Sequence, residues 1–165
     1  MIKQSLILLF FLLSFSCQSQ IQQKDKTKTT KEMTYKVNKS EAEWKKELSP
    51  AQFHILREKG TERPGTGEYN LHFEKGEYVC AGCETPLFES DNKYDSHCGW
   101  PSFDDAIPGT IVYQDDNSLD RYRVEILCAN CGGHLGHIFD DGPQETTGKR
   151  YCVNSLSVDF KKEEK

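Results

Sequence analysis

The chain has 165 residues, 28% of them charged and 36% hydrophobic, with a formal charge of −5. That length fits one domain with extensions, and so lean a supply of apolar side chains calls for a staple such as a metal or disulfides. The acidic balance excludes a nucleic-acid binder of the usual kind, which presents a basic face.

Met1–Cys17 has the layout of a secretory signal. Lys3 supplies a short basic start, and Leu6–Phe15 forms an apolar stretch too short to serve as a stop-transfer span. Its end, Leu13-Ser14-Phe15-Ser16-Cys17, resembles a bacterial lipoprotein signal. The expectation is a signal peptide over 1–16, with Cys17 as the lipid-bearing first residue of an exported protein on the periplasmic face of a bacterial membrane. Ordinary cleavage after Ser16 and a retained anchor are the alternatives. Residues 17–38 are rich in Gln, Lys and Thr, and cannot bury enough surface to offset their ordering entropy. They read as a flexible tether, with the folded domain over 39–162.

Ser40-Glu41-Ala42-Glu43 is a capping-box pattern and opens a short helix through Trp44 and Leu48. Pro50 suits the first turn of a second helix, which runs through Phe53, Leu56 and Lys59 and stops at Gly60. Arg63–Gly67 reads as loop. From Gly76 the pattern turns to strands. Tyr78-Val79 and Ile111–Tyr113 are short candidates. Tyr122, Val124 and Ile126 alternate with Arg121, Arg123 and Glu125, which predicts a half-buried strand. Leu156, Val158 and Phe160 alternate in the same way over 155–160. Asp140–Pro143 and Thr147-Gly148 mark turns.

The chain holds seven cysteines, an odd number that structural disulfides cannot all absorb. Cys80-Ala81-Gly82-Cys83 and Cys128-Ala129-Asn130-Cys131 are two knuckles. Each can place two sulfurs on one side of an ion, and together they supply four thiolates for one closed, structural zinc site. Gly82 and Gly132 would give the turns their freedom. Redox pairs and structural disulfides remain alternatives for the same four residues.

Cys98 and Cys152 are left. On an extended chain Arg150 and Asn154 share the face of Cys152. A guanidinium there stabilises the nucleophilic thiolate, and an amide there can donate a hydrogen bond. The bland alternative is a small buried hydrophobe. Cys98 lies in the loop Ser96–Phe103, where Trp100 offers a flat apolar wall or simple packing. His134 and His137 could be metal ligands, acid/base groups or structural histidines.

Six stretches in order carry a resemblance: Cys80–Cys83, Gly99-Trp100-Pro101-Ser102-Phe103, Cys128–Cys131, His134-Leu135-Gly136-His137-Ile138-Phe139, Gly142-Pro143 and Arg150–Ser155. Over about residues 40–160 the chain resembles the methionine-R-sulfoxide reductases, the B-type enzymes. The resemblance implies a mainly β fold of two antiparallel sheets (β-tent-like), with short N-terminal helices and a structural zinc far from the active site. It implies Cys152 as nucleophile and Cys98 as resolving thiol. Trp100 would hold the substrate's methyl group, with Phe103 lining the same site. His134, His137 and Asn154 would surround the sulfoxide oxygen, and Arg150 would support the thiolate. His97 stands where glycine is common in relatives. The implied partners are oxidised proteins carrying methionine-R-sulfoxide and a thioredoxin-like dithiol that resets the enzyme. A zinc-ribbon interaction module and a general thiol–disulfide oxidoreductase are the competing classes.

Overall fold

The structure is a computed structural model, and it describes residues 34–164. The expected signal peptide, Cys17 and the tether up to residue 33 lie outside the described residues.

Two capping boxes start two helices. In α1 (Glu41–Glu47) the Ser40 side chain accepts from the Glu43 N–H, and the Glu43 carboxylate accepts from the Ser40 N–H. In α2 (Pro50–Glu58) Ser49 and Gln52 do the same, with Pro50 in the first turn. The helix ends one residue earlier than expected. Lys59 takes the left-handed conformation at φ 56°, and the Gly60 N–H closes on the His54 carbonyl at 2.9 Å.

Nine strands follow. β1 is Gly76–Cys80, β2 Pro86–Glu89, β3 Lys93–Tyr94, β4 Ser102–Phe103 and β5 Ile111–Asp116. β6 is Arg123–Cys128, β7 His134–Phe139, β8 Arg150–Val153 and β9 Val158–Lys162. They form two antiparallel sheets, β2-β1-β9 and β3-β4-β8-β7-β6-β5. This is the mainly β, two-sheet architecture with short N-terminal helices that the resemblance implies.

The core lies between the sheets. Phe88 of β2 stacks on Phe103 of β4 at 4.4 Å, and Tyr78 of β1 meets the same ring edge-on at 5.0 Å. Tyr151 of β8 packs against Phe88 at 5.7 Å. Side chains alternate across a strand. With Phe103 and Tyr151 facing inward, Ser102 and Cys152 therefore face outward.

Two strand expectations need correcting. β6 begins at Arg123, and Tyr122 stays exposed. Glu125, placed on a solvent face by alternation, is only 3% exposed. The reason is tertiary: β6 is an interior strand, and the end of α2 covers its outer face, so that Lys59 donates to Glu125 at 2.7 Å. Likewise Ser155–Ser157 is a tight helical turn, and β9 starts only at Val158. The chain must pass there from one sheet to the other, and the Ser157 hydroxyl supports the turn by donating to the Asn154 carbonyl at 2.7 Å.

The folded body also begins before residue 39. The Val37 N–H donates to the Asn130 carbonyl at 2.9 Å, and Val37 packs on the core. Tyr35 lies against Gly132.

Candidate active site

Strand register builds the site. The pairs Tyr94↔Ser102, Ser102↔Cys152, Cys152↔His137, His137↔Glu125 and Glu125↔Gln114 run across the six-stranded sheet. Residues directly opposite one another project from the same face. The sheet thus carries a polar row on its outer surface with Cys152 inside it. Arg150 and Phe139 form part of the next row.

A bulge adds one more member. Pairing runs Ile126↔Gly136 and then Leu127↔His134, so β7 holds one extra residue there. Without it, His134 and His137 would face opposite ways. With it, both point outward, their rings 5.6 Å apart.

Beside this row lies a cleft of about 130 Å³ whose lining includes Trp100, His137, Phe139, Cys152 and Asn154. Cys98 arrives on the loop after β3, and its sulfur stands 3.7 Å from that of Cys152. Closing to the roughly 2.05 Å of a disulfide requires less than 2 Å of travel. The loop is pinned from behind. The Trp100 ring N–H donates to the Glu62 carbonyl at 3.2 Å, and the Gly65 N–H donates to the Gly99 carbonyl at 2.7 Å. His97 sits at φ 57°, the left-handed region that favours glycine.

The two thiols share a proton unequally. Contact with Cys152, aided by the Ser102 and Ser96 hydroxyls, draws the Cys98 thiol down to about 4. Contact with Cys98 and then burial push Cys152 up, against the pull of Arg150. With the sulfurs together, their contact favours charge on Cys98 over charge on Cys152. Arg150, expected to support the Cys152 thiolate, does pull the Cys152 pKa down. Arg150 is engaged elsewhere: its guanidinium forms two 2.8 Å bonds to Asp141 and lies 4.4 Å over the Phe139 ring.

His137 Nε2 is 2.8 Å from Asp116 Oδ2, and Arg123 reaches the same carboxylate at 2.6 Å. Burial holds the His137 pKa below its ordinary value, with Asp116 opposing. His134 sits deeper, 3% exposed, with Nδ1 at 2.7 Å from Glu125. Burial raises the Glu125 pKa, but His134 and Lys59 outweigh it and hold the carboxyl low.

Cys98, Cys152, Trp100, His137 and Asn154 are brought together, with Arg150 one row away. Asn154 is buried, and both ends of its amide serve the backbone: it accepts from the Glu62 N–H and donates to the Leu135 carbonyl, each at 3.1 Å. Phe103 is not at the cleft. It pairs with Tyr151 and faces the core at 0% exposure, because its neighbour Ser102 takes the outward side. Sequence reasoning missed Phe139, which period-two alternation from His137 could have flagged. It also missed Asp116 and Glu62, whose partners lie far along the chain. The Glu62 carboxylate accepts from the Ser155 and Leu156 N–H groups, binding the turn after Cys152.

Cys80, Cys83, Cys128 and Cys131 form a separate cluster outside the cleft. Their sulfurs all lie within 4.8 Å of one another, with Cys80–Cys131 at 3.7 Å and Cys83–Cys128 at 3.6 Å. A tetrahedron with zinc–sulfur bonds of about 2.3 Å has edges near 3.8 Å, so these residues fit such an ion. Cys80 ends β1 and Cys128 ends β6, so the cluster ties one sheet to the other. The left-handed residue after each knuckle is Glu84 (φ 57°) in the first and Gly132 (φ 70°) in the second. Gly82, expected to relax the first knuckle, is not in that conformation.

A mainly β domain with two apposed thiols in a cleft, and four more in a cluster that could hold a metal ion, has the build of a thiol-based redox enzyme. The SelR domain family matches residues 48–162. Peptide methionine sulfoxide reductase MsrB of Agrobacterium fabrum is 56% identical over 126 residues, covering 76% of this chain and 93% of that protein. The MsrB of Leptospira interrogans is 54% identical over 132 residues, covering 79% and 100%. That of Chromohalobacter salexigens is 51% identical over 129 residues, covering 78% and 97%. The chain belongs to the MsrB family of peptide methionine sulfoxide reductases, oxidoreductases that return methionine sulfoxide to methionine.

Proposed function

We propose that this enzyme reduces the R epimer of protein-bound methionine sulfoxide, with Cys152 as nucleophile and Cys98 as resolving thiol. The observation that carries this reading is the 3.7 Å approach of the two sulfurs in a cleft beside Trp100 and His137.

A sulfoxide sulfur is open to attack only when its oxygen is protonated or strongly hydrogen-bonded. Transfer of the shared proton from Cys152 to Cys98 frees the Cys152 thiolate. His137 donates from Nε2–H to Asp116, and in its protonated form it donates from Nδ1–H to the sulfoxide oxygen. His134 and Asn154 act behind it as positioning groups, Asn154 by fixing the turn that follows Cys152. Arg150, anchored by Asp141, supports negative charge on the dithiol. Attack on sulfur releases methionine and leaves Cys152 as a sulfenic acid. Cys98 then forms the disulfide, the hydroxyl leaves as water with one proton, and a thioredoxin-like dithiol restores both thiols by exchange. Trp100 and Phe139 form the apolar wall for the methyl group. With oxygen held opposite them, one epimer presents its sulfur to Cys152.

The four-cysteine cluster holds zinc as a structural ion under this reading. The N-terminal segment acts as a lipoprotein-type signal, with a lipid on Cys17 and the Gln/Lys/Thr-rich stretch after it as a tether to the folded body. That sets the enzyme at the periplasmic face of a membrane, where its reductant must also be found. Mass spectrometry of the mature N-terminus checks this: an unprocessed or unlipidated chain overturns the anchor.

Turnover of the separate R and S epimers with dithiothreitol tests the enzymology. Consumption of R alone is expected, and equal consumption of both defeats the stereochemical reading. Cys152→Ser should abolish turnover; retained activity removes Cys152 as nucleophile.

A further inference from the structure

Ser102 is 0% exposed, yet it is polar and stands directly opposite Cys152 in the register of β4 and β8. A buried hydroxyl is costly unless its hydrogen bonds are made. Those of Ser102 run to the redox loop. Its Oγ lies 2.7 Å from Ser96 Oγ, 3.2 Å from the Trp100 carbonyl oxygen and 3.4 Å from Cys98 Sγ. Ser96 Oγ in turn accepts from the Cys98 N–H at 3.4 Å, and Cys98 Sγ is 3.6 Å from the Trp100 carbonyl.

A serine hydroxyl has one proton, and two acceptors compete for that of Ser102. When Cys98 carries its own proton, the S–H can point at the Trp100 carbonyl and the Ser102 hydroxyl can do the same. When Cys98 is a thiolate, its sulfur is the stronger acceptor, because hydrogen bonds to an ionised partner are about twice as strong as neutral ones. Ser102 then turns to the sulfur, and the Ser96 hydroxyl donates to Ser102 in support. The short chain Ser96–Ser102–Cys98 thus responds to charge on one sulfur. Among the described residues, no such hydroxyl pair is bonded to Cys152; its charge support is Arg150, which is already paired with Asp141.

We propose that Ser102 is a catalytic residue for disulfide closure, its buried hydroxyl holding Cys98 as a thiolate for attack on the oxidised Cys152. The proposal rests on the Cys98–Cys152 disulfide reading. In the step concerned, an electron pair on the Cys98 sulfur forms the S–S bond and the S–O bond of the Cys152 sulfenic acid breaks. The hydroxide takes one proton and leaves as water. Cys98 is oxidised and the Cys152 sulfur is reduced. Ser102 releases the sulfur as its charge disappears and returns to the Trp100 carbonyl.

The test measures Cys98 directly. In the full-length Cys152→Ser protein, the rate of Cys98 alkylation is followed against pH by peptide mass spectrometry. Adding Ser102→Ala should raise the midpoint by about one pH unit, a tenfold loss of thiolate below it. Ser96→Ala should raise it by less. A merely structural serine would leave the midpoint in place, and an unmoved midpoint in a folded Ser102→Ala protein overturns the proposal. If Ser102→Ala fails to fold, Ser96→Ala decides: no rise overturns it. With both cysteines present, closure after one turnover at a pH below the midpoint should slow by a similar factor. The parent reading is tested separately by Cys98→Ser. Undiminished turnover with a thioredoxin-like dithiol would remove the disulfide while leaving the Ser102 titration to stand or fall by itself.

Discussion

Gly136 brings β7 close against β8, the strand of the proposed nucleophile Cys152, and Gly136→Ala should damage activity more than stability. A Cβ built there would sit 2.0 Å from the Cys152 carbonyl oxygen, 3.1 Å from its carbon and 3.2 Å from Val153 Cα. All of these are backbone atoms, so no side chain can swing aside. A normal contact needs about 3.4 Å, which forces β7 and β8 more than 1 Å apart or twists them locally. The displaced pair is Cys152 and His137, the two groups proposed to meet the sulfoxide together. A misplacement of about 1 Å can cost on the order of 100-fold in rate. The strain and lost pairing should cost roughly 1–3 kcal/mol, enough to lower the melting temperature by several degrees without unfolding the domain. Steady-state turnover of R-methionine sulfoxide and a thermal melt on one preparation give both numbers. A variant within about twofold of the parent in turnover would show that the close approach does not set the alignment.

Phe103→Ala should cost about 3–5 kcal/mol, as for other buried aromatic rings, while KM for a small sulfoxide substrate stays near the parent value; a raised KM in protein that remains folded would return Phe103 to the binding site. Metal analysis should find about one zinc per chain, and chelation should cut stability sharply, since metal-binding free energy at a four-thiolate site enters the folding free energy. Metal-free protein that melts like the purified form would remove the staple. Burial holds the folded His137 pKa below its ordinary value of 6.5, so the unfolded imidazole takes up its proton first as pH falls. The stability gained from a neutral His137 is therefore complete above about pH 6.5 and drains away as pH drops through the folded value, by at most about 1.4 kcal/mol per pH unit. Urea midpoints between pH 7 and 5 should fall more steeply for the parent than for His137→Gln, and parallel slopes would refute the sign.

Much of this enzyme was legible in the sequence because the relevant physics is local. Ser40 and Ser49 cap helices through residues three positions away, and both capping boxes formed. Two CxxC pairs must each place two sulfurs together, and the cluster formed. The exported, lipidated N-terminus is a reading of residues 1–17 and stays with the sequence. Alternation failed wherever a strand's surroundings decided burial. Glu125 looked like a solvent-facing residue until the end of α2 supplied Lys59 above it. The resemblance places Phe103 at the cleft with Trp100, but a strand turns each successive side chain to the other face, and Ser102 takes the outward one.

The sequence by itself determined the inventory: a two-sheet β domain of the methionine sulfoxide reductase type, four thiols that could hold an ion and two more proposed for the chemistry. Only the tertiary structure decided how those two thiols meet. Their 3.7 Å contact joins residues 54 apart in the chain. It depends on β4 lying beside β8, on a bulge that turns His134 to the side of His137, and on Glu62 reaching from a loop after α2 to hold Trp100 and the turn beyond Cys152. Register, bulges and loop docking are set by the packing of distant segments, and a local pattern carries no record of them.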